Sequence, residues 1–128
     1  MLRDSQAVTT MVTTNRERTN RFYGDVLGLR LVMDLPDGSV LVYEAGKGSR
    51  VMLYMREKPS SSDATSMGFV VDDVRTTVRD LRARGVTFEE YDMPGIKTVD
   101  GIATMGQEQA AWFKDPDGNI IGVFNGPI

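Results

Sequence analysis

The most informative stretch of the chain is AAWFKDPDGNIIGVFN, residues 110–125. It opens with a short apolar run. Asp115 to Asn119 is typical of a tight turn, because proline presets φ, glycine accepts positive φ, and Asp and Asn bond their own backbone. Ile120 to Phe124 resumes as a β-branched apolar run. The pattern predicts a strand, a turn and a second strand that together form a buried hairpin.

Composition and charge narrow the classes of function. The chain has 128 residues, a net charge of −3, and neither Cys nor His. These values fit one globular domain without disulfides, thiolate metal ligands or the commonest general base. No basic patch points to nucleic acid, and no apolar run approaches the ~20 residues that span a bilayer. The N-terminus lacks the apolar core of a signal peptide, so we expect a cytoplasmic protein without a membrane partner.

The first half of the chain predicts one helix and four strands. Asn15 is a candidate N-cap for a helix that runs to about Leu27, and Gly28 is its natural stop. The strands are predicted over residues 7–13, 29–33, 40–44 and 51–55.

The second half repeats this order after a polar segment, residues 58–65. A strand over 67–71 precedes a helix that Asp72 or Asp73 caps and Gly85 stops. A strand over 86–91, a long irregular stretch over 92–109 and the hairpin of residues 110–125 follow. The halves align at a shift of 57, which places Asn15 on Asp72 and Gly28 on Gly85. We therefore expect an α+β fold in which two βαβββ modules, about 7–57 and 64–126, form a cupped mixed sheet within one domain.

Three stretches carry a resemblance to a known family. Residues 22–29, FYGDVLGL, resemble a signature of the vicinal oxygen chelate superfamily, which includes glyoxalase I, extradiol dioxygenases and bleomycin-resistance proteins. Residues 67–74 and 112–119 resemble its second-module strand and its last hairpin. The likeness spans roughly residues 7–125. It implies paired βαβββ modules, usually assembled as a dimer, and it specifies fold better than activity.

The resemblance also implies positions for metal ligands, and this sequence departs from the family at each of them. The family's first-strand His or Gln falls on Val8, its second-module His on Ser66, and its C-terminal Glu on Gly122. A further acidic position falls within residues 51–55, which contain no carboxylate. We therefore expect no metal site and no cofactor, and we interpret the Asp residues near 72 and 115 as caps and turns.

Strand alternation predicts which side chains face the cup. If the family's ligand positions point inward, the lining is apolar with two hydroxyls, and Gly68 and Gly122 leave open volume, which suits an apolar or aromatic ligand. A cup whose side chains pack against one another is the alternative. The candidate ligand-binding residues are Val8, Thr10, Val12, Tyr54, Ser66, Gly68, Met105, Trp112, Ile120, Gly122 and Phe124.

The sequence is compatible with three functions. The first is a metal-independent small-molecule-binding protein, in which the stretch 92–109 is a lid, a mobile connection or a dimer contact. The second is a divergent lyase, isomerase or dioxygenase-like enzyme that works through Tyr, Ser or a carboxylate such as Glu108. The third is a structural dimer with a vestigial site. In each case we expect a homodimer, because small domains with open sheet edges gain from pairing.

Overall fold

The structure, a computed structural model, describes residues 1–127 and divides within the polar segment that separates the two predicted modules. Residues 1–60 form one unit, and the chain from Ser61 onward forms the other. Each unit holds one mixed sheet and one main helix, and the first unit also has a short 3-10 turn over Gly46–Gly48, so the predicted α+β architecture is confirmed. No helix among the described residues has the length and apolarity needed to cross a membrane.

The first unit contains a four-stranded sheet. Its strands are β1 (Thr9–Thr13), β2 (Arg30–Asp34), β3 (Val40–Glu44) and β4 (Arg50–Met55), and helix α1 (Arg16–Asn20) follows β1. The spatial order is β1-β4-β3-β2, with β1 parallel to β4 and the other pairs antiparallel. The parallel pair needs a crossover, which the helix and the two intervening strands supply.

One face of this sheet forms the core of the first unit. Leu41, Tyr43 and Leu53 are almost fully buried, and the Tyr43 ring stacks on Tyr23 from the helical segment at 5.6 Å. Thr13 at the end of β1 shares a 2.6 Å hydrogen bond with a buried helix hydroxyl. Since side chains alternate along a strand, the even-numbered residues of β1 and β4 occupy the opposite face.

The helical segment of the first unit is one residue longer than the helix of the second unit, and the extra residue widens one of its turns. Asn15 caps α1 by accepting from the backbone N–H of Arg18, and the chain leaves the helix at Gly28, 13 positions later, with φ of 76°. In the second unit the cap and the positive-φ glycine are only 12 positions apart. The extra residue is accommodated in a π-helical turn over Arg21–Val26, where the next amide bonds five residues back.

The second unit contains a six-stranded sheet and one regular helix. The helix α2 spans Val74–Ala83 and is capped by Asp73, which accepts from the backbone N–H of Thr76 at 3.0 Å. The sheet order is β5-β10-β9-β8-β7-β6, with β5 parallel to β10. Its strands are β5 (Thr65–Val70), β6 (Asp92–Met93), β7 (Ile96–Val99), β8 (Ile102–Met105), β9 (Glu108–Lys114) and β10 (Ile120–Phe124).

Two expectations for the second unit were wrong. Residues 86–91 form no continuous strand, and only Phe88 bridges to Phe113. Residues 92–109 are three short strands and their turns, β6 to β8 and the start of β9, rather than an irregular loop. Their turns use glycine at positive φ, and Asp100-Gly101 has positive φ at both residues, as a two-residue type I′ hairpin requires.

The hairpin predicted at residues 110–125 is confirmed. The Asp115 carboxylate accepts from the backbone N–H groups of Asp117 and Asn119 at 2.9 Å, and from the Asn119 amide at 2.7 Å. All three polar residues are at most 5% exposed. The carboxylate therefore stabilises the turn, as its interpretation as a turn residue predicted. This turn fixes the register in which β9 meets β10.

Candidate functional site

The second unit presents an aromatic corner on the face of its sheet that carries Gly122. Trp112 of β9 lies directly opposite Gly122 of β10 in the antiparallel ladder. A Cβ placed on Gly122 would lie 3.2 Å from both Cδ1 and Nε1 of the indole and 3.7 Å from Cγ2 of Thr65. The Trp112 ring therefore lies over the glycine, and the Thr65 methyl group borders the same spot.

Tyr91 forms the second wall of the corner. Its ring meets the Trp112 ring edge to face, with centroids 5.5 Å apart and planes at 76°. The backbone of Glu89 donates to the carbonyl of Trp112 at 2.8 Å, which lays this segment along β9. Thr98 then holds Tyr91, because its hydroxyl accepts from the Tyr91 N–H at 2.8 Å and its own N–H donates to the Tyr91 carbonyl at 2.9 Å.

A cavity of about 140 Å³ opens beside these two rings. Its lining residues carry aromatic and aliphatic groups, two hydroxyls and one carboxylate. The residues that line it are Asp63, Thr65, Tyr91, Met93, Ile96 and Trp112. This chemistry is typical of small-molecule sites, which combine apolar walls with a few polar groups.

Two carboxylates and one ammonium group act on Tyr91 at the cavity. Burial raises the pKa of Tyr91, and the carboxylates of Glu89 and Asp63 raise it further, while Lys114 opposes them. The ammonium group of Lys114 lies 3.3 Å from Glu89, so its charge is partly balanced by that carboxylate. Asp63 is the one charged side chain among the residues that line the cavity.

The open volume expected above the two sheet glycines is occupied. A Cβ on Gly68 would lie 2.5 Å from Cε1 of Phe124, and the space above Gly122 holds the Trp112 indole. The expectation of empty space was wrong, because a glycine in a sheet also makes room for a large neighbour on the adjacent strand. The accessible volume lies to the side of the indole, next to Tyr91.

The other candidate residues of the second unit lie at different places in its sheet. Ser66 is exposed beside Thr65 in β5, while Ile120 is buried, 4% exposed, at the start of β10. Met105 is exposed at the turn between β8 and β9, opposite Glu108, and does not line the cavity. Trp112, Gly122, Gly68 and Phe124 form one continuous patch, with the two glycines paired across β5 and β10.

Three of the four candidates of the first unit share one face of its sheet. Thr10 and Val12 alternate with the buried Met11 in β1, and Tyr54 of β4 is paired with Val12. Val8 is exposed just before β1. The Arg56 guanidinium lies 4.4 Å from the Tyr54 ring centroid, which places a cation on that ring. Tyr43 points the other way, into the core, where its hydroxyl donates to Asn20 at 2.7 Å.

The residues at the family's metal positions do not fit a metal ion. Val8 and Gly122 have no donor side chain, and the exposed Ser66 offers one neutral hydroxyl. Within residues 1–127 no three His, Cys, Asp or Glu side chains are grouped so that they would hold an ion. The indole that lies over Gly122 occupies the space next to that backbone position.

Trp112 is the one lining residue that was among the sequence candidates, and the candidates did not include Asp63, Thr65, Tyr91, Met93 and Ile96. Tyr91 lay at the end of a predicted strand, and its position depends on a bond to Thr98 across a turn. The missed signal was Asp100-Gly101, since a two-residue hairpin there brings β7 back along β8 and places Thr98 near the sheet.

Comparisons with known proteins agree with this architecture. A lactoylglutathione lyase from Agrobacterium tumefaciens is 21% identical, covers 95% of this chain and 94% of its own, and has a TM-score of 0.69. A glyoxalase/bleomycin resistance protein/dioxygenase superfamily member from Sphaerobacter thermophilus is 23% identical over 94% and 98%, with a TM-score of 0.72. The oxidase ChaP-H2 is 20% identical over 96% and 95%, with a TM-score of 0.67. At these identities the likeness establishes a shared fold.

Sequence comparison extends the result from fold to family. A search of the curated proteins gave no significant match. The profile of the Glyoxalase/Bleomycin resistance protein/Dioxygenase superfamily matches residues 6–123, nearly the whole chain. Because this match covers far more than half of the chain, the chain belongs to this superfamily.

Proposed function

We propose that the protein is a metal-independent small-molecule-binding member of its superfamily, and that an apolar or aromatic ligand binds beside Trp112 and Tyr91. The observation that carries the proposal is the cavity of about 140 Å³ whose two aromatic walls stand nearly perpendicular. Edge-to-face and stacked contacts with such rings favour planar ligands. The absence of donor side chains at Val8 and Gly122 supports binding without a metal ion.

The cavity walls are positioned by backbone hydrogen bonds rather than by loose loops. Tyr91 is held by Thr98, and Trp112 stands in the middle of a paired strand. Both rings are therefore in place before a ligand arrives, which reduces the conformational entropy that binding would otherwise cost. Met93 adds an adaptable wall that accepts ligands of different shape.

The proposal is tested by thermal unfolding in the presence of neutral planar aromatic compounds, among them 2-naphthol and menadione. A compound at 100 times its dissociation constant adds roughly 2.7 kcal/mol, which raises the melting temperature of a domain this size by several degrees. Binding should also alter the emission of Trp112, the only tryptophan of the chain. A parent protein that no compound stabilises at millimolar concentration would contradict the proposal.

Two substitutions at one position provide the matched control. Tyr91→Ala removes an aromatic wall and should weaken binding about tenfold, whereas Tyr91→Phe keeps the ring and should bind like the parent. Equal binding by both variants would show that the compounds bind elsewhere. We also propose that the chain is a homodimer, and a monomer mass in sedimentation at micromolar concentration would oppose this.

A further inference from the structure

The aromatic cavity of the second unit has one charged wall, and this wall indicates the charge of the ligand. We propose that the group bound there is a compact methylated ammonium, such as a trimethylammonium head group, held in the corner that Trp112 and Tyr91 form and beside Asp63. This inference rests on the proposed function, because it uses the same cavity, and it adds a positive charge covered by methyl groups to the apolar surface proposed for the ligand.

The two aromatic rings are arranged so that one cation can contact both. With centroids 5.5 Å apart and planes at 76°, Trp112 and Tyr91 form two walls of a corner. The face of each ring is the negative end of its quadrupole, so a cation within about 6 Å of both centroids is attracted by both. Tryptophan is the strongest of the aromatic side chains in this interaction.

The charge of the other lining residues favours a cation over an anion. Asp63 is the one charged residue of the lining, and its carboxylate adds to the rise in the pKa of Tyr91 that burial and Glu89 produce. Among the residues that the structure describes, no Lys or Arg lines the cavity, and Lys114, which opposes the rise in the pKa of Tyr91, lies 3.3 Å from Glu89. An anionic ligand would therefore meet a carboxylate, whereas a cation would meet a carboxylate and two aromatic rings.

The size of the cavity and its apolar walls favour a methylated ammonium over a primary one. A volume of about 140 Å³ is close to the roughly 150 Å³ of an engineered apolar cavity that binds benzene, so it accepts one head group. A primary ammonium needs several hydrogen-bond acceptors, while the side walls here include Met93 and Ile96. Methyl groups on the nitrogen match these apolar walls and leave the positive charge intact.

The experiment compares choline with 3,3-dimethylbutan-1-ol, which has the same shape and no charge. Both are titrated into the full-length protein at equal ionic strength while the emission of its single tryptophan, Trp112, is recorded. We expect choline to bind at least tenfold more tightly than its neutral counterpart. Equal or weaker binding of choline would overturn the inference.

Substitutions separate the contribution of the carboxylate from that of the rings. Asp63→Asn should weaken choline binding about fivefold, the factor expected for one nearby charge in water, and should leave the neutral alcohol unaffected. Asp72→Asn removes an exposed carboxylate outside the cavity and should bind choline like the parent. Loss of choline binding that is equal in both variants would reject a specific contact with Asp63.

The outcomes also separate this inference from the proposed function. If 2-naphthol or menadione binds beside Trp112 but choline binds no more tightly than the alcohol, the inference fails and the apolar site stands. If neither class alters the emission of Trp112 or the melting temperature, the proposed function fails with it.

Discussion

Trp112 and Gly122 face each other across the ladder of β9 and β10, and the indole lies so close that a Cβ on the glycine would be 3.2 Å from two of its atoms. The superfamily resemblance implies a metal-binding glutamate at the position of this glycine. In this chain a large ring on the neighbouring strand takes the place next to it. The same local arrangement therefore contains both the aromatic corner and a glycine in place of the metal-binding glutamate.

Enlarging Gly122 should displace the indole. We expect Gly122→Leu to lower the free energy of unfolding by roughly 1–3 kcal/mol, because the added carbons overpack the contact with Trp112. The emission of Trp112 should shift, and stabilisation by aromatic compounds should be lost. The same substitution at Gly46, where nothing lies within 4 Å of a Cβ, should change stability by no more than about 0.5 kcal/mol. Unchanged stability and emission in Gly122→Leu would contradict the observed packing.

The π-helical turn of the first unit contains a glycine whose substitution should stabilise the protein. Gly24 has a negative φ, and a Cβ there would meet only Asn20 Oδ1 at the ordinary distance of 3.5 Å. Gly24→Ala should raise the free energy of unfolding in urea by about 0.5–1 kcal/mol, since alanine restricts the unfolded chain. Gly28→Ala is the opposite control, because its φ of 76° strains an L-residue. Destabilisation by Gly24→Ala would refute this description of the turn.

Tyr43 should make stability depend on pH in the alkaline range. Burial, opposed by the nearby Arg16 and aided by Asp25, raises the pKa of Tyr43 to about 12, above the ordinary value near 10. The unfolded chain then loses this proton at lower pH than the folded protein. The contribution is therefore fully present below pH ~10 and is lost as pH rises towards ~12, by at most about 3 kcal/mol.

The variant Tyr43→Phe isolates this effect. It should lose about 1 kcal/mol at neutral pH, because the 2.7 Å hydrogen bond to Asn20 disappears. Its free energy of unfolding should fall less steeply than that of the parent between pH 10 and 12. Parallel curves for the two proteins would exclude Tyr43 as the source of the dependence.

Metal content provides a separate prediction. Because Val8, Ser66 and Gly122 lack the ligands that the resemblance implies, protein purified and dialysed should contain far less than one Zn²⁺, Ni²⁺, Fe²⁺ or Mn²⁺ per chain. Elemental analysis by mass spectrometry measures this directly. About one such ion per chain, removed by a chelator together with ligand binding, would contradict metal-independent binding.

Local signals in the sequence account for most of the fold. The turn over residues 115–119 predicts the hairpin in which Trp112 lies opposite Gly122. The cap Asn15 locates the first helix, and the choice between Asp72 and Asp73 locates the start of the second, where the structure has Asp73 as the cap. Alternation in β1 correctly separates the buried Met11 from Val12 on the other face. Each of these features depends on residues within a few positions of one another.

The candidate site was harder to predict because its parts are distant in the sequence. Asp63 precedes β5, Tyr91 precedes β6, and Trp112 lies in β9, so their proximity depends on how the strands pair. Strands of two to four residues show too little alternation to be recognised, and residues 92–105 therefore resembled a loop. Sequence alone also did not show that neighbouring rings would fill the space next to Gly68 and Gly122.

The most direct test of ligand binding at the aromatic corner uses the single tryptophan as a reporter. Protein labelled with 5-fluorotryptophan should give one fluorine resonance, from Trp112. On titration with the compound that most raises the melting temperature, this resonance should shift to a plateau with the dissociation constant that calorimetry gives. A resonance that stays in place while calorimetry shows saturation would place the ligand away from Trp112 and contradict the proposed site.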